Sequence, residues 1–145
     1  MSLQDKLWGF RSEKLQAEKE AGAKFLAENK TKAGVTELPN GIQYEVLKEG
    51  EGRQPKPNSN IKAHYSGSLL NGKEFDSSYK RNQPFTARLT QLIKGWQEVI
   101  PMMKEGSKWR LWIPSDLAYG DNGAGGSIPG GATLQFDVEL IQILD

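Results

Sequence analysis

Few residues in this chain are of a kind that does covalent or metal chemistry. His64 is the single histidine, and there is no cysteine. A lone histidine without a second histidine or a thiolate does not build a zinc site, and thiol catalysis is excluded. A Ser-His-Asp triad would have to use His64, yet no G-x-S-x-G turn accompanies it. Alternation of His64 with Ala63 and Tyr65 reads instead as a polar side chain on the outer face of a strand. The run Gly120-Asp-Asn-Gly-Ala-Gly-Gly-Ser-Ile128 suggests a phosphate loop. It sets Ile128 where the third glycine of G-x-G-x-x-G belongs, and no Gly-Lys-Ser/Thr follows. A mobile or tightly turned loop is the better reading. Asn29-Lys30-Thr31 matches a glycosylation sequon, but it falls in a predicted helix and such triplets arise by chance.

The elements that would position any site divide the chain in two. Residues 3 to about 32 lack proline and are rich in Lys, Glu, Ala, Leu and Gln, which predicts a long helix of roughly 40 Å. Leu3, Leu7, Phe10, Ala17, Ala21 and Phe25 recur at steps of three and four, interrupted at Lys14, and are expected on one face. Gly22 weakens the helix locally. Residues 33–41 read as a linker ending in the turn Pro39-Asn40-Gly41. Alternation then predicts strands through Ile42, Tyr44 and Val46, and through Ile61, Ala63, Tyr65, Gly67 and Leu69. The hairpin signal Asn71-Gly72 and a return strand over 73–76 follow. Trp109, Leu111 and Ile113 mark another strand, and Leu134, Phe136, Val138 and Leu140 the clearest one. At Ile141 the phase flips, which predicts a bulge or a doubly covered end. One short helix fits, near Trp96 to Met103, with Pro101 making it brief or kinked. The fold class is therefore α+β: an antiparallel sheet wrapped on a short helix, with a long N-terminal helix outside it.

With 145 residues, 37% hydrophobic and 26% charged, the composition is that of a globular chain of one domain plus an extension. A formal net charge of +1 gives no field that would favour nucleic acid. No apolar run is long enough to span a bilayer. Residues 1–10 form an amphipathic segment with Asp5 and Lys6, and no secretory leader is read in them. The opening Met1-Ser2-Leu3 reads as a start added to a trimmed chain.

A specific order of motifs begins at His64-Tyr-Ser-Gly67. It continues through Asn71-Gly-Lys-Glu-Phe-Asp-Ser-Ser78, Arg81-Asn-Gln-Pro-Phe85, Leu92-Ile-Lys-Gly-Trp96 and Met103. Leu117-Ala-Tyr-Gly120, Ile128-Pro129 and Ala132-Thr-Leu-Gln-Phe-Asp-Val-Glu-Leu140 complete it. Any one of these is weak; together, from Ile42 to the C-terminus, they resemble the FKBP family of peptidyl-prolyl cis-trans isomerases. The preceding Lys24-Phe-Leu-Ala-Glu-Asn29, leading into Leu38-Pro-Asn-Gly-Ile-Gln-Tyr44, resembles the bacterial branch that includes the macrophage infectivity potentiator proteins. That branch joins the isomerase domain by a long helix to a dimerisation module. Residues 1–34 are accordingly expected to be a remnant of the module and residues 35–145 the isomerase domain.

The resemblance implies an FKBP-like fold and a pocket. Trp96 would form its floor, and Tyr65, Phe75, Phe85, Ile93, Tyr119 and Phe136 its walls. Leu92 would sit at the rim, with its carbonyl open to an extended ligand, and Asp76 and Arg81 would pair at one side. Tyr65, Asp76 and Tyr119 are the implied catalytic residues, and Phe75, Arg81, Phe85, Leu92, Ile93, Trp96, Ile128 and Phe136 the substrate-binding ones. No metal or cofactor is implied. The implied partners are X-Pro segments of unfolded or partly folded proteins and the macrolides tacrolimus and rapamycin. A homodimer through the helical module is implied for the longer protein, in the bacterial periplasm or at the outer membrane, with the cytoplasm as the other location. The alternative reading is a proline-binding chaperone module without significant turnover. Relative to the family, residues 124–127 and 130–131 are small and glycine-rich, which suggests a mobile, permissive rim and leaves macrolide affinity open. Every implied pocket residue follows residue 34, so turnover of a short peptide is expected to survive loss of the arm.

Overall fold

The computed structural model describes residues 3–145, with side chains from residue 12 onward. Helix α1 (Leu3–Asn29) leads into strands β1 (Val35–Glu37), β2 (Gln43–Lys48), β3 (Asn60–Leu69), β4 (Glu74–Ser77) and β5 (Phe85–Arg88). Helix α2 (Lys94–Val99) and strands β6 (Lys108–Ile113) and β7 (Leu134–Ile143) complete the chain. The sheet order is β1-β2-β6-β7-β3-β4, and every pairing is antiparallel. β3 is the spine. One edge pairs with β7 from Ile61 to Leu69; the other pairs with β5 near its start and β4 near its end. β4 and β5 thus share one edge, and the excursion between them carries Ser78, Tyr79 and Arg81.

The period-2 apolar residues of β3, β6 and β7 make one face of the sheet. On it lie Ile61, Ala63, Leu111, Ile113, Leu134, Phe136, Val138 and Leu140, in one buried cluster with Trp96, Val99, Ile100 and Met103. α2 is six residues long and passes into a tighter turn at Ile100–Met102, with Pro101 in its first positions. The proline has no N–H to continue an α-helix, so the expected brevity follows. In β7 the partners run Lys62↔Gln142 and then Ala63↔Leu140, so Ile141 is an extra residue. This bulge restores phase and leaves Ile143 buried, as the flip at Ile141 predicts.

Three local expectations are corrected. β2 keeps its expected apolar face only at the start: Ile42 is buried and Tyr44 packs against the core, but Val46 is 40% exposed, and Gln43 is fully buried. The reason is a polar joint with α1. Gln43 Nε2 donates to the Leu26 carbonyl at 2.8 Å and to Glu37 at 2.9 Å, and its Oε1 accepts from Asn29 Nδ2 at 2.9 Å. This joint gives the Leu26 carbonyl, in the last turn of α1, a second donor beside the Lys30 N–H at 3.1 Å. It also explains Asn29, which is buried rather than displayed as an acceptor for sugar. Next, the covered face of α1 is Leu15, Glu18, Gly22, Phe25, Leu26 and Asn29, while Ala17 and Ala21 are exposed. Gly22 sets this face: a Cβ there would lie 2.3 Å from Thr133 Oγ1, so the missing side chain lets the helix touch the domain. Leu3, Leu7 and Phe10 of the predicted face, and Trp8, have side chains outside the described residues. Finally, β1 and β5 are three and four residues long, too short for alternation to mark.

Candidate active site

The site begins with register. Gly67 on β3 stands opposite Asp76 of β4 on one side and Phe136 of β7 on the other. Cross-strand partners share a face, so Asp76 and Phe136 point to the same side. The next pair is Ser68↔Glu74, which leaves Phe75 as an extra residue. In a regular strand Phe75 and Asp76 would point to opposite faces. The bulge re-aims them, and both line the same cavity. Gly67 makes room, because a Cβ there would fall 2.7 Å from both the Phe75 and Phe136 rings.

The cavity holds about 200 Å³ and is lined by Tyr65, Phe75, Asp76, Phe85, Leu92, Ile93, Trp96, Tyr119 and Phe136. Trp96 lies at its centre. Its ring meets Tyr65 at 5.3 Å, Phe136 at 5.2 Å and Phe85 at 5.6 Å between centroids, the first two edge to face. Phe75 meets Phe136 edge to face at 5.7 Å, and Tyr65 meets Phe85 likewise at 5.2 Å. Edge-to-face rings lock one another in orientation, so the walls are preformed. Trp96 is 5% exposed, and its indole N–H has no acceptor among the described residues.

Polar groups sit at the edge of this apolar space. The Tyr65 hydroxyl donates to Asp76 Oδ2 and accepts from Arg81 Nη2 at 3.1 Å, while Arg81 Nη1 donates to Asp76 Oδ1. Burial works against ionisation of Asp76, but hydrogen bonds from Tyr65 and Arg81 outweigh it and hold the carboxyl below its ordinary value. Burial, and then the bond to Asp76, push the Tyr65 hydroxyl up. Both Asp76 oxygens are therefore engaged, one by the Tyr65 hydroxyl and the other by the Arg81 guanidinium. Tyr119 differs. Its hydroxyl has no partner among the described residues, and burial followed by the Asp76 charge raises its pKa, so it stays a neutral donor. The Ile93 N–H, at the start of α2, likewise donates to no group among the described residues. The Leu92 carbonyl accepts from Gln97 Nε2 at 2.6 Å, which uses one of its two lone pairs.

Nine of the residues that the resemblance implies thus meet at one cavity. Arg81 adjoins it through Asp76 and Tyr65. Ile128 is 7% exposed, belongs to the buried cluster and stands outside the cavity lining. Its loop is closed by paired backbone bonds between Ala124 and Ile128, at 3.0 and 3.1 Å, a tightly turned rim rather than a slack one. Sequence reasoning missed Ser78 and Gln97. Ser78 is fully buried; its Oγ accepts from the Tyr65 N–H at 2.7 Å and lies 2.7 Å from His64 Nδ1. Ser78 belongs to a quoted motif, but nothing in its type separates it from Ser77. His64 is half-buried, stacked on Tyr79 at 4.5 Å, on the side of β3 away from the cavity.

An antiparallel sheet wrapped on a short helix thus carries an aromatic cavity with hydrogen-bond donors at its edge, the form of a small-ligand site. The family model described as FKBP-type peptidyl-prolyl cis-trans isomerase matches residues 51–141, and the chain belongs to that family. A second family model, described as the domain amino terminal to FKBP-type peptidyl-prolyl isomerase, matches residues 1–46. The chain is 44% identical over 134 residues to the FKBP-type 22 kDa peptidyl-prolyl cis-trans isomerase of Escherichia coli K12, covering 92% of this chain and 65% of that protein. It is 49% identical over 119 residues to the peptidyl-prolyl cis-trans isomerase Mip of Coxiella burnetii, covering 82% and 52%. To the outer membrane protein MIP of Legionella longbeachae it is 38% identical over 132 residues, covering 91% and 57%. The crystal structure of FkpA from Escherichia coli matches with a TM-score of 0.91 at 35% identity, covering 97% of this chain and 65% of that one. The chain thus spans between 52% and 65% of the length of these proteins.

Proposed function

We propose that this chain accelerates rotation about X–Pro peptide bonds, with Tyr65, Asp76 and Tyr119 as the catalytic set. The observation that carries the proposal is the aromatic cavity around Trp96, edged by free donors at Ile93 N–H and Tyr119 OH. Amide resonance sets the rotational barrier at about 18–20 kcal/mol. The planar amide is the more polar form, with negative oxygen and positive nitrogen, and water stabilises it. The twisted transition state is less charge-separated. A dry cavity therefore withdraws solvation from the ground state and tolerates the twist, which is differential binding. The Tyr119 hydroxyl and the Ile93 N–H hold the flanking carbonyls, so that the proline ring stays while the peptide turns. Asp76 and Arg81 keep the Tyr65 ring upright as a wall. Lowering the barrier by about 5–7 kcal/mol would give four to five orders of magnitude in rate.

X-Pro segments of unfolded or partly folded proteins are the proposed clients, and tacrolimus and rapamycin the proposed competitors. The division after residue 34 into arm and isomerase domain belongs to the same reading, as does a homodimer through a longer helical module; the match of the amino-terminal family model supports both. The Legionella relative's printed name supports an envelope location. Among the described residues no helix is long and apolar enough to cross a membrane, so an envelope location would not rest on a span within them. The test is cis-to-trans relaxation of a Leu-Pro peptide with and without the protein. Binding of tacrolimus without acceleration of the peptide would favour the non-catalytic, proline-binding reading.

A further inference from the structure

The arm touches more than a neutral flank of the domain. The turn of α1 containing Leu15 and Lys19 lies on the two limbs of the rim loop. Lys19 Nζ reaches Asp121 Oδ1 at 2.9 Å. Gly131, at φ +78, packs against the helix itself: a Cβ there would come 2.9 Å from Leu15 Cδ1, 3.1 Å from the Leu15 carbonyl and 3.1 Å from Lys19 Cγ. The Gly131 N–H donates to the Gly120 carbonyl at 2.9 Å, tying the far limb to the near one. Gly120 follows Tyr119, which lines the cavity and opens the turn Gly120–Asn122. An unbroken path of contacts therefore runs from α1 through Gly131 and Asp121 to Gly120 and Tyr119. The helix is in turn held at two points further along. Gly22 sits on Thr133, and Asn29 and the Leu26 carbonyl are bonded to Gln43.

We propose that α1 is a positioning element for the active-site rim: Leu15, Lys19 and Gly22 set the place of Tyr119 through the 120–131 loop, and with it substrate selection. This rests on the isomerase reading above. Lys19–Asp121 alone contributes little, since both side chains are substantially exposed. The strength of the brace lies in close packing at Gly131 and Gly22, where a side chain fits only if the helix or its neighbours on the domain shift. An exchange of packing there shifts the rim as a body, while the aromatic walls, which come from β3, β4, β5, α2 and β7, stay where they are.

Gly22→Ala is the probe, because alanine is the better helix former, yet its Cβ would meet Thr133 Oγ1 at 2.3 Å, so the helix or the threonine must shift. The companion Thr133→Ala removes the Oγ1 that the new Cβ would strike. Kinetics on a panel of X-Pro peptides differing in X would be measured for the wild type, each single variant and the pair, with the Tyr119 ring signals followed by NMR. Gly22→Ala should move the Tyr119 signals and change relative kcat/KM across the panel by up to about fivefold, mainly through KM. Gly22→Ala with Thr133→Ala should return both toward wild type. A folded Gly22→Ala protein with unchanged Tyr119 signals and unchanged peptide preference would overturn the proposal, as would failure of the pair to restore them. A wild type without turnover would instead sink the isomerase reading, and the Tyr119 signals would then decide the brace alone.

Discussion

At the scale of single residues, the cavity separates groups that shape it from groups that bond to a ligand. Phe136 is 2% exposed and touches Trp96 and Phe75, so Phe136→Ala should cost about 3–5 kcal/mol of stability by chemical denaturation. It should also lose turnover in whatever fraction stays folded. Tyr119→Phe removes only the unpartnered hydroxyl and should lower kcat/KM by about tenfold or less at unchanged stability. Asp76→Asn keeps the shape but weakens the grip on Tyr65 and Arg81, and should also slow the peptide. His64→Ala should do little, since His64 faces away from the cavity. The pH profile tests the same division. Asp76 has a folded pKa below its unfolded one, so its contribution is complete above the ordinary carboxylate value of about 3.9. That contribution disappears as pH falls through the lowered folded value. Tyr119, raised above its ordinary value, remains a donor well into alkali. Turnover measured from about pH 5 to 9 should therefore be flat with respect to these groups. A pH dependence inside that range would bring a group other than Asp76 and Tyr119 into the mechanism.

At the scale of elements, what alternation could express was legible. The faces of β3, β6 and β7, the bulge at Ile141 and the brevity of α2 follow from period, phase and one proline. What was not legible depends on contacts between elements. No local signal says that Phe75 is the extra residue in β4, because bulging there is settled by pairing with β3. Nor does Gln43 announce burial, since its partners Asn29 and Leu26 lie in α1. The motif order led to the cavity residues directly, while Ser78 and Gln97, which hold Tyr65 and Leu92 in place, carry no distinguishing type. Gln43 offers a test of the polar joint. Gln43→Leu would leave Asn29 buried without its acceptor, and should cost about 1–3 kcal/mol by urea denaturation. A change within about 0.5 kcal/mol would show that water replaces the joint at no cost.

At the scale of the whole molecule, an aromatic cavity sits on a sheet whose β2 strand and rim loop are held by a helix outside the sheet. If the longer protein pairs through that helical module, two cavities share one client, and linkage raises the local concentration of prolines. Loss of residues 1–34 should then weaken action on a large unfolded client more than on a short peptide. Sedimentation of long and short forms beside both assays would show it. The account stands or falls, however, on the cavity itself. The direct measurement is the relaxation rate of a Leu-Pro peptide, which takes tens to hundreds of seconds unaided, as a function of the concentration of folded protein. The account predicts a rate that rises linearly with protein, is suppressed by tacrolimus and falls in Tyr119→Phe. A protein that is folded, at micromolar concentration, and leaves the spontaneous rate unchanged would contradict it.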